Sequence, residues 1–247
     1  MGVARAAVRV DPVAGRFGLA RVRDEGFLGE PQNREAVAMT IDRQALAGSV
    51  NLAGWMTTTR VLNPGLLGDD GTIGERWAGR SLEERRAVAA ARVAAWKGRA
   101  RALAPLRIAL PRGPGSDLLF KRLNADLAAI GLEGRQVRLD ADADLRLVDA
   151  VASYGSPQWF FNRLSCAVLV AACSPAADKF ANAARLEADP AKQADLISQA
   201  EAQLTLSNSY IPLGAPIRWS LVSGTVTGFA PNRMAAHPLM SMAMLPR

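Results

Sequence analysis

Apolar positions along this chain alternate between a period of two and a period near four, and the changes of period mark its elements. Phe17-Gly-Leu-Ala-Arg-Val22 reads as a strand. Gly29-Glu-Pro-Gln-Asn33 reads as a turn that caps a helix from Arg34 to about Ile41, with Ala36, Val37, Thr40 and Ile41 on one face. Asp42 to Leu46 continues that helix or opens a second short turn, and the rest of residues 1–32 is irregular or extended. Residues 47–80 carry Gly and Pro at intervals and predict a long structured loop. Ser81 to about Lys97 predicts a helix, opened by a capping box of Ser81 and Glu84 in which each side chain satisfies an orphan N–H of the first turn. Leu106 to Leu110 alternates as a strand, and Pro111 to Gly115 is a loop. Ser116 to Ile130 is a helix with Leu119, Leu123 and Leu127 stepping along one face and Gly131 as its stop. Gln136–Leu139 and Leu145–Val148 are strands, and Phe160–Leu164 is a helical turn. Helices are predicted over Pro175–Leu186 and Pro190–Leu206, the second with Asp189 as N-cap, followed by strands at Tyr210–Leu213 and Arg218–Val222. The β-α-β order argues an α/β fold with a mostly parallel sheet flanked by helices.

Composition changes this picture little. The 247 residues suit one large domain or two small ones, and 49% hydrophobic content is ample for a core. No run of 18 apolar residues could cross a membrane, and the first ten residues, with Arg5 and Arg9 and no apolar stretch, do not resemble a secretory signal peptide. The net charge of +7 raises a second reading, a basic interaction module that binds nucleic acid or an anionic surface. The arginines are scattered, however. Their densest cluster (Arg85, Arg86, Arg92, Lys97, Arg99, Arg101) lies on a predicted helix and its exit, with no aromatic platform beyond Trp96, so a solvated helix face is the better reading and no nucleic acid is expected.

Candidate chemistries fall away one by one. The strand–Gly-Pro-Gly–helix at Leu106–Ser116 could cradle phosphate on backbone N–H groups, but Ser116-Asp117 stands where a Walker loop needs Lys-Ser/Thr, and Asp117 would repel phosphate. The lone His237 lies in a Pro/Met-rich tail, and no Gly-x-Ser-x-Gly elbow exists. Asp140, Asp142 and Asp144 alternate after a strand but lack the glycine and glutamate of a calcium loop. Catalysis, a metal site and a cofactor are therefore not expected. Cys166 and Cys173 are compatible with two buried thiols or with a local disulfide.

The last third has a distinctive order. Cys173-Ser-Pro-Ala-Ala-Asp178 opens a helical run to Asp189-Pro190, a second run reaches Leu206, and Tyr210-Ile-Pro-Leu-Gly214 and Val226-Thr-Gly-Phe-Ala-Pro-Asn232 follow. This resembles the C-terminal part of the family 5 extracellular solute-binding proteins, the peptide/nickel-type binding proteins of bacterial ABC importers. Other segments extend the resemblance in the same order. Arg34-Glu-Ala-Val-Ala-Met-Thr-Ile-Asp-Arg-Gln-Ala-Leu46 is similar to a family helix ending in an Ala-Ile-Asp-Arg-like motif, with Thr40 for the usual small residue, and Pro64-Gly65 matches the loop after it. Leu106–Leu139 is similar to a strand, Gly/Pro loop, helix and strand of the family, and Val151-Ala-Ser-Tyr-Gly-Ser-Pro157 to a segment that usually reads Ala-Asp-Tyr-x-x-Pro.

The resemblance implies a lobe of the type II periplasmic-binding-protein kind: a mixed sheet with flanking helices, plus C-terminal strands of an incomplete first lobe. In domain terms, 1–32 is a remnant of the first lobe and linker, 33–206 the second lobe, and 207–247 a return segment. Family members are much longer, so the chain is expected to be a C-terminal fragment or truncated product. The implied function is non-catalytic: a periplasmic substrate-binding component that takes a peptide or similar small solute between two lobes and meets the membrane subunits of an ABC importer. The residues expected to face the ligand are Val151, Ala152, Ser153, Tyr154 and Trp159. Ser153 departs from the family's aspartate, which pairs with a peptide's α-amino group, so that charge is missing here. The extracytoplasmic setting also tips Cys166 and Cys173 toward a disulfide. Finally, Ile211–Leu213, Trp219–Val222 and Met240–Leu245 are expected to expose apolar side chains meant for burial against the first lobe.

Overall fold

The computed structural model describes residues 6–11, 13–52, 55–99, 103–168 and 173–238. Strands are β1 (Ala6–Asp11), β2 (Gly15–Arg21), β3 (Leu106–Leu110), β4 (Gly134–Arg138), β5 (Leu145–Val151), β6 (Tyr210–Gly214) and β7 (Arg218–Ser223). Helices are α1 (Pro31–Thr40), α2 (Arg43–Val50), α3 (Leu82–Arg99), α4 (Pro114–Ala128), α5 (Pro157–Leu164), α6 (Pro175–Leu186) and α7 (Pro190–Ser207). Three helices start earlier than their apolar faces suggest, α5 at Pro157 among them. α1 begins at Pro31 and α4 at Pro114, because proline at the first helical position has no N–H to leave orphaned. α3 starts with the expected capping box: Ser81 N–H donates to Glu84 (2.6 Å) and Glu84 N–H to the Ser81 hydroxyl (3.2 Å).

The main sheet has five strands in the order β4-β3-β5-β2-β6. β3 is parallel to β4 and β5, as the β-α-β pattern predicts, but β2 is antiparallel to both β5 and β6. The sheet is therefore mixed rather than mostly parallel. β2 enters at the end where β5 finishes, with Gly15 opposite Val151, so it must run the other way. One sheet face carries Leu19, Ile108, Leu145 and Ile211 against α1, α3 and α4; the other packs Tyr210 and Ala152 against α5, α6 and α7 around Phe160, Leu164 and Ala200. The result is a three-layer α/β/α arrangement with a core on each side of the sheet. β1 and β7 form a separate antiparallel two-stranded ribbon, entered through residues 11–15 and left through 214–218.

One expectation changes at this level. Ile211 and Leu213 are buried, 1% and 0% exposed, because β6 is hydrogen-bonded to β2 and turns both side chains into the first core. The apolar face expected on the last strands is found only on the ribbon, where Trp219 (64%), Leu221 (65%) and Val8 (61%) are exposed, with Val8 opposite Leu221; Met240–Leu245 lies outside the described residues. The main sheet also takes its β2 from the 1–32 segment and its β6 from the 207–247 segment.

Buried arginines pin the loops to this frame. Arg34 donates to the carbonyls of Leu28, Gly29 and Ser207, each at 2.8 Å. Arg43 donates to Pro212 O at 2.6 and 3.0 Å, and burial lowers its pKa to about 10. Arg60, in the long loop, pairs with Glu201 of α7 (2.7 Å) and with Asp69 (2.9 Å), with all three side chains at most 7% exposed.

Candidate functional site

The expected ligand segment leaves the end of β5 and meets the passage between ribbon and main sheet. Val151 is opposite Gly15, and Ala152 N–H donates to Ala14 O at 2.8 Å. Gly15 has φ +155°, and a Cβ there would stand 2.1 Å from Ala150 O, so only glycine lets β2 approach β5 this closely. Asn63 Oδ1 accepts from Gly15 N–H at 2.5 Å and ties the long loop to the same point.

The structure separates the five expected residues into two groups. Ser153 is exposed and Tyr154 is 42% exposed, on the turn between β5 and α5, where Asn162 donates to the Tyr154 hydroxyl at 3.0 Å. Val151 is half-buried at the strand end. Ala152 (1%) and Trp159 (3%) are core residues; Trp159 packs edge-on against Phe160 with ring centroids 5.0 Å apart. Of the five, Val151, Ser153 and Tyr154 are accessible, and Ala152 and Trp159 are buried.

Residues that sequence reasoning passed over lie beside β6, where the chain leaves the main sheet for the ribbon. Trp55 packs edge-on against Phe17 (5.9 Å), and its indole N–H donates to Ala215 O (2.8 Å). Met56, 49% exposed, follows it and accepts from Ala215 N–H (2.9 Å), so the loop runs beside β6 as a partial extra strand. A cavity of about 340 Å³ opens here between Val10, Val13, Trp55, Met56, Pro216 and Ile217, and a second of about 320 Å³ lies on the other side of Trp55 and Met56. Trp55 falls in the Gly/Pro-rich stretch, where no periodicity points to it; its only signal is an aromatic beside an exposed Met in a loop too long to be a simple connection.

The C-terminal tail closes the ribbon end. Asp11, 3% exposed, accepts from Asn232 N–H (3.0 Å) and lies 2.9 Å from His237 Nε2, while His237 stacks on Phe229 at 4.3 Å. Ala14 N–H donates to Arg233 O (2.9 Å), and Arg218 of β7 pairs with Asp149 of β5 (2.9 Å). The lone histidine is therefore part of the clamp that fixes ribbon against sheet.

Other charged features are internally partnered. Arg85, Arg86, Arg92, Lys97 and Arg99 reach Met39 O, Asp126, Glu35, Gly131 O and Glu30, so these members of the densest basic cluster bridge α3 to its neighbours, with Lys97 and Arg99 still in solvent; Arg101 lies outside the described residues. Asp140 pairs with Arg138, Asp142 with Arg107 and Arg23, and Asp144 with Arg107, which leaves this acidic run bound to cations already in the protein. A cavity of about 580 Å³ beside Phe27, Trp96 and Leu106 lies at the far end of the sheet from Gly15. Cys166 and Cys173 are joined as a disulfide with Cα atoms 4.8 Å apart.

No family model matches the sequence, and no curated protein matches it. The likeness is to solved structures. The murein tripeptide binding protein MppA of Escherichia coli superposes with a TM-score of 0.81 at 17% identity, over 90% of this chain and 46% of that one. OppA of Burkholderia pseudomallei gives 0.80 at 18% identity, over 91% and 47%. A periplasmic oligopeptide-binding protein, OppAIV, of Borrelia burgdorferi gives 0.81 at 13% identity, over 95% and 49%. The chain spans about half the length of these structures. It therefore has the type II periplasmic-binding-protein fold, over an extent that fits a C-terminal portion of such a protein.

Proposed function

We propose that this chain is a lobe of a family 5 solute-binding protein and supplies one wall of a peptide-binding crevice for an ABC importer, without catalysis. The observation that carries the reading is the fold likeness across nine-tenths of the chain to proteins whose names record peptide binding. The wall would be Val151, Ser153 and Tyr154, with Trp55 and Met56 at its flank. Val151 lies beside Gly15, and Trp55 and Met56 lie beside Ala215, the two points where the chain passes between sheet and ribbon; a hinge there would let two lobes close on a ligand. A periplasmic location follows from the same reading and accords with the disulfide. The alternative of a nucleic-acid module gains no support from the partnered arginines of α3.

Ser153 gives a test by gain of function. The resemblance assigns an aspartate here to the peptide's α-amino group, and serine cannot supply its charge. Ser153→Asp is expected to strengthen binding of peptides with a free N-terminus about threefold to fivefold, the worth of an exposed ion pair. N-acetylated peptides should show no gain. Equal gain for both, or none for either, would contradict the assignment.

A further inference from the structure

Gly15 joins the end of β5 to the cavity between the ribbon and the long loop. A Cβ at Gly15 would stand 2.9 Å from Val151 Cα and 2.9 Å from Pro216 Cγ, so the strand end and the cavity rim meet at this one glycine. Pro216 is one wall of the cavity of about 340 Å³, and Val10, Val13, Trp55, Met56 and Ile217 are others. That volume stands at the small end of ligand pockets, which run from about 300 to 1,000 Å³. It suits one side chain of a ligand whose backbone lies at Val151.

The polar side chains at this cavity are already partnered. The Trp55 indole N–H donates to Ala215 O (2.8 Å). The Asp11 carboxylate accepts from Asn232 N–H (3.0 Å), lies 2.9 Å from His237 Nε2, and its side chain is only 1% exposed. The cavity across Trp55 and Met56 differs, since Gln44, Thr57, Thr58 and Asn63 line it. A polar or charged group entering the Pro216 cavity would shed water with no free partner waiting. An apolar group would instead displace water from Met56, 49% exposed, and from half-buried Ile217. We propose that this cavity is a specificity pocket for one apolar side chain, of leucine or phenylalanine type, on a peptide bound along Val151–Tyr154, with Trp55, Met56 and Ile217 setting the preference. The pocket depends on the peptide-binding role proposed for the lobe, and it adds which peptides the lobe selects.

NMR titrations of methyl- and ¹⁵N-labelled protein with Gly-Leu-Gly, Gly-Phe-Gly, Gly-Ser-Gly and Gly-Glu-Gly test this. The leucine and phenylalanine peptides are expected to bind at least about tenfold tighter than the other two, the worth of burying one such side chain, and to move the Met56 and Ile217 methyl resonances. In Met56→Asn and in Ile217→Thr the preference should fall below about threefold, with the affinity for Gly-Ser-Gly unchanged. Met56 is an exposed position, so its variant tests the pocket even if Ile217→Thr does not fold. Shifts at Ser153 and Tyr154 with no preference among the peptides would overturn the pocket and leave peptide binding standing. A preference that survives in the folded variants would overturn it as well. No shift with any peptide would overturn the pocket and the peptide-binding role together. Methyl shifts at Met56 and Ile217 that follow protein concentration instead of peptide would assign the cavity to a second copy of the chain, and so overturn the proposal.

Discussion

Gly15 shows how one residue fixes how closely β2 approaches β5. Its φ of +155° and the 2.1 Å approach that a Cβ would make to Ala150 O exclude any side chain. Gly15→Ala should cost roughly 2–3 kcal/mol in urea unfolding, the usual toll of forced backbone strain; a loss below about 0.5 kcal/mol would mean that the strands can separate at little expense. Asp69 makes a second residue-scale prediction. Burial by itself raises its carboxyl pKa, but the hydrogen bond from Arg60 and those from Gly65 and Gly71 N–H outweigh it and leave the pKa below the ordinary value. Glu201, on the same guanidinium but less exposed (1% against 7%), is raised because burial wins there. A depressed folded-state pKa contributes stability that is present above the unfolded value near ~4 and is lost as pH falls through the folded one. Urea midpoints should therefore drop on acidification, and Asp69→Asn should flatten that drop; parallel wild-type and variant curves would rule out Asp69 as its source.

At the scale of elements, the β1–β7 ribbon stands apart. Two strands alone are marginal in water, and this pair leaves Val8, Trp219 and Leu221 in solvent while the tail and the Arg218–Asp149 pair hold one end. The protein should bind a hydrophobic dye, and Trp219→Thr with Leu221→Thr should remove most of that signal while changing the unfolding free energy by no more than about 0.5 kcal/mol. Dye binding that survives the double substitution would locate the apolar face elsewhere. The elements themselves were legible where local physics decides them. The Ser81–Glu84 box, the leucines of α4 and the Asp189-Pro190 start of α7 all form as their residues require. Partner choice was not legible. Periodicity tells which face of Ile211–Leu213 is apolar but not that β2, some 190 residues earlier, covers it, so these residues read as exposed when they are core. The same limit hid Trp55, since its place depends on Ala215 across the sheet edge rather than on any local pattern.

The whole molecule is a mixed α/β/α body with a two-stranded ribbon at one end, and it spans about half the length of the solved structures whose fold it shares. The motif Val151–Tyr154 stands out in the sequence, but which of its residues reach solvent, and that Ala152 and Trp159 are buried, depends on the packing of α5. If these residues form one wall of a crevice, the isolated 247-residue chain buries roughly half the ligand surface that a closed pocket would, at the same translational and rotational cost. Halving a micromolar binder's ~8 kcal/mol leaves roughly millimolar affinity. The most direct measurement is a backbone-amide NMR titration of the chain with a pool of di- to pentapeptides. The account predicts fast-exchange shifts concentrated on Ser153, Tyr154, Trp55 and Met56, saturating in the millimolar range. Shifts confined to the far cavity at Phe27 and Trp96, or no shift at the junction at any peptide concentration, would contradict it.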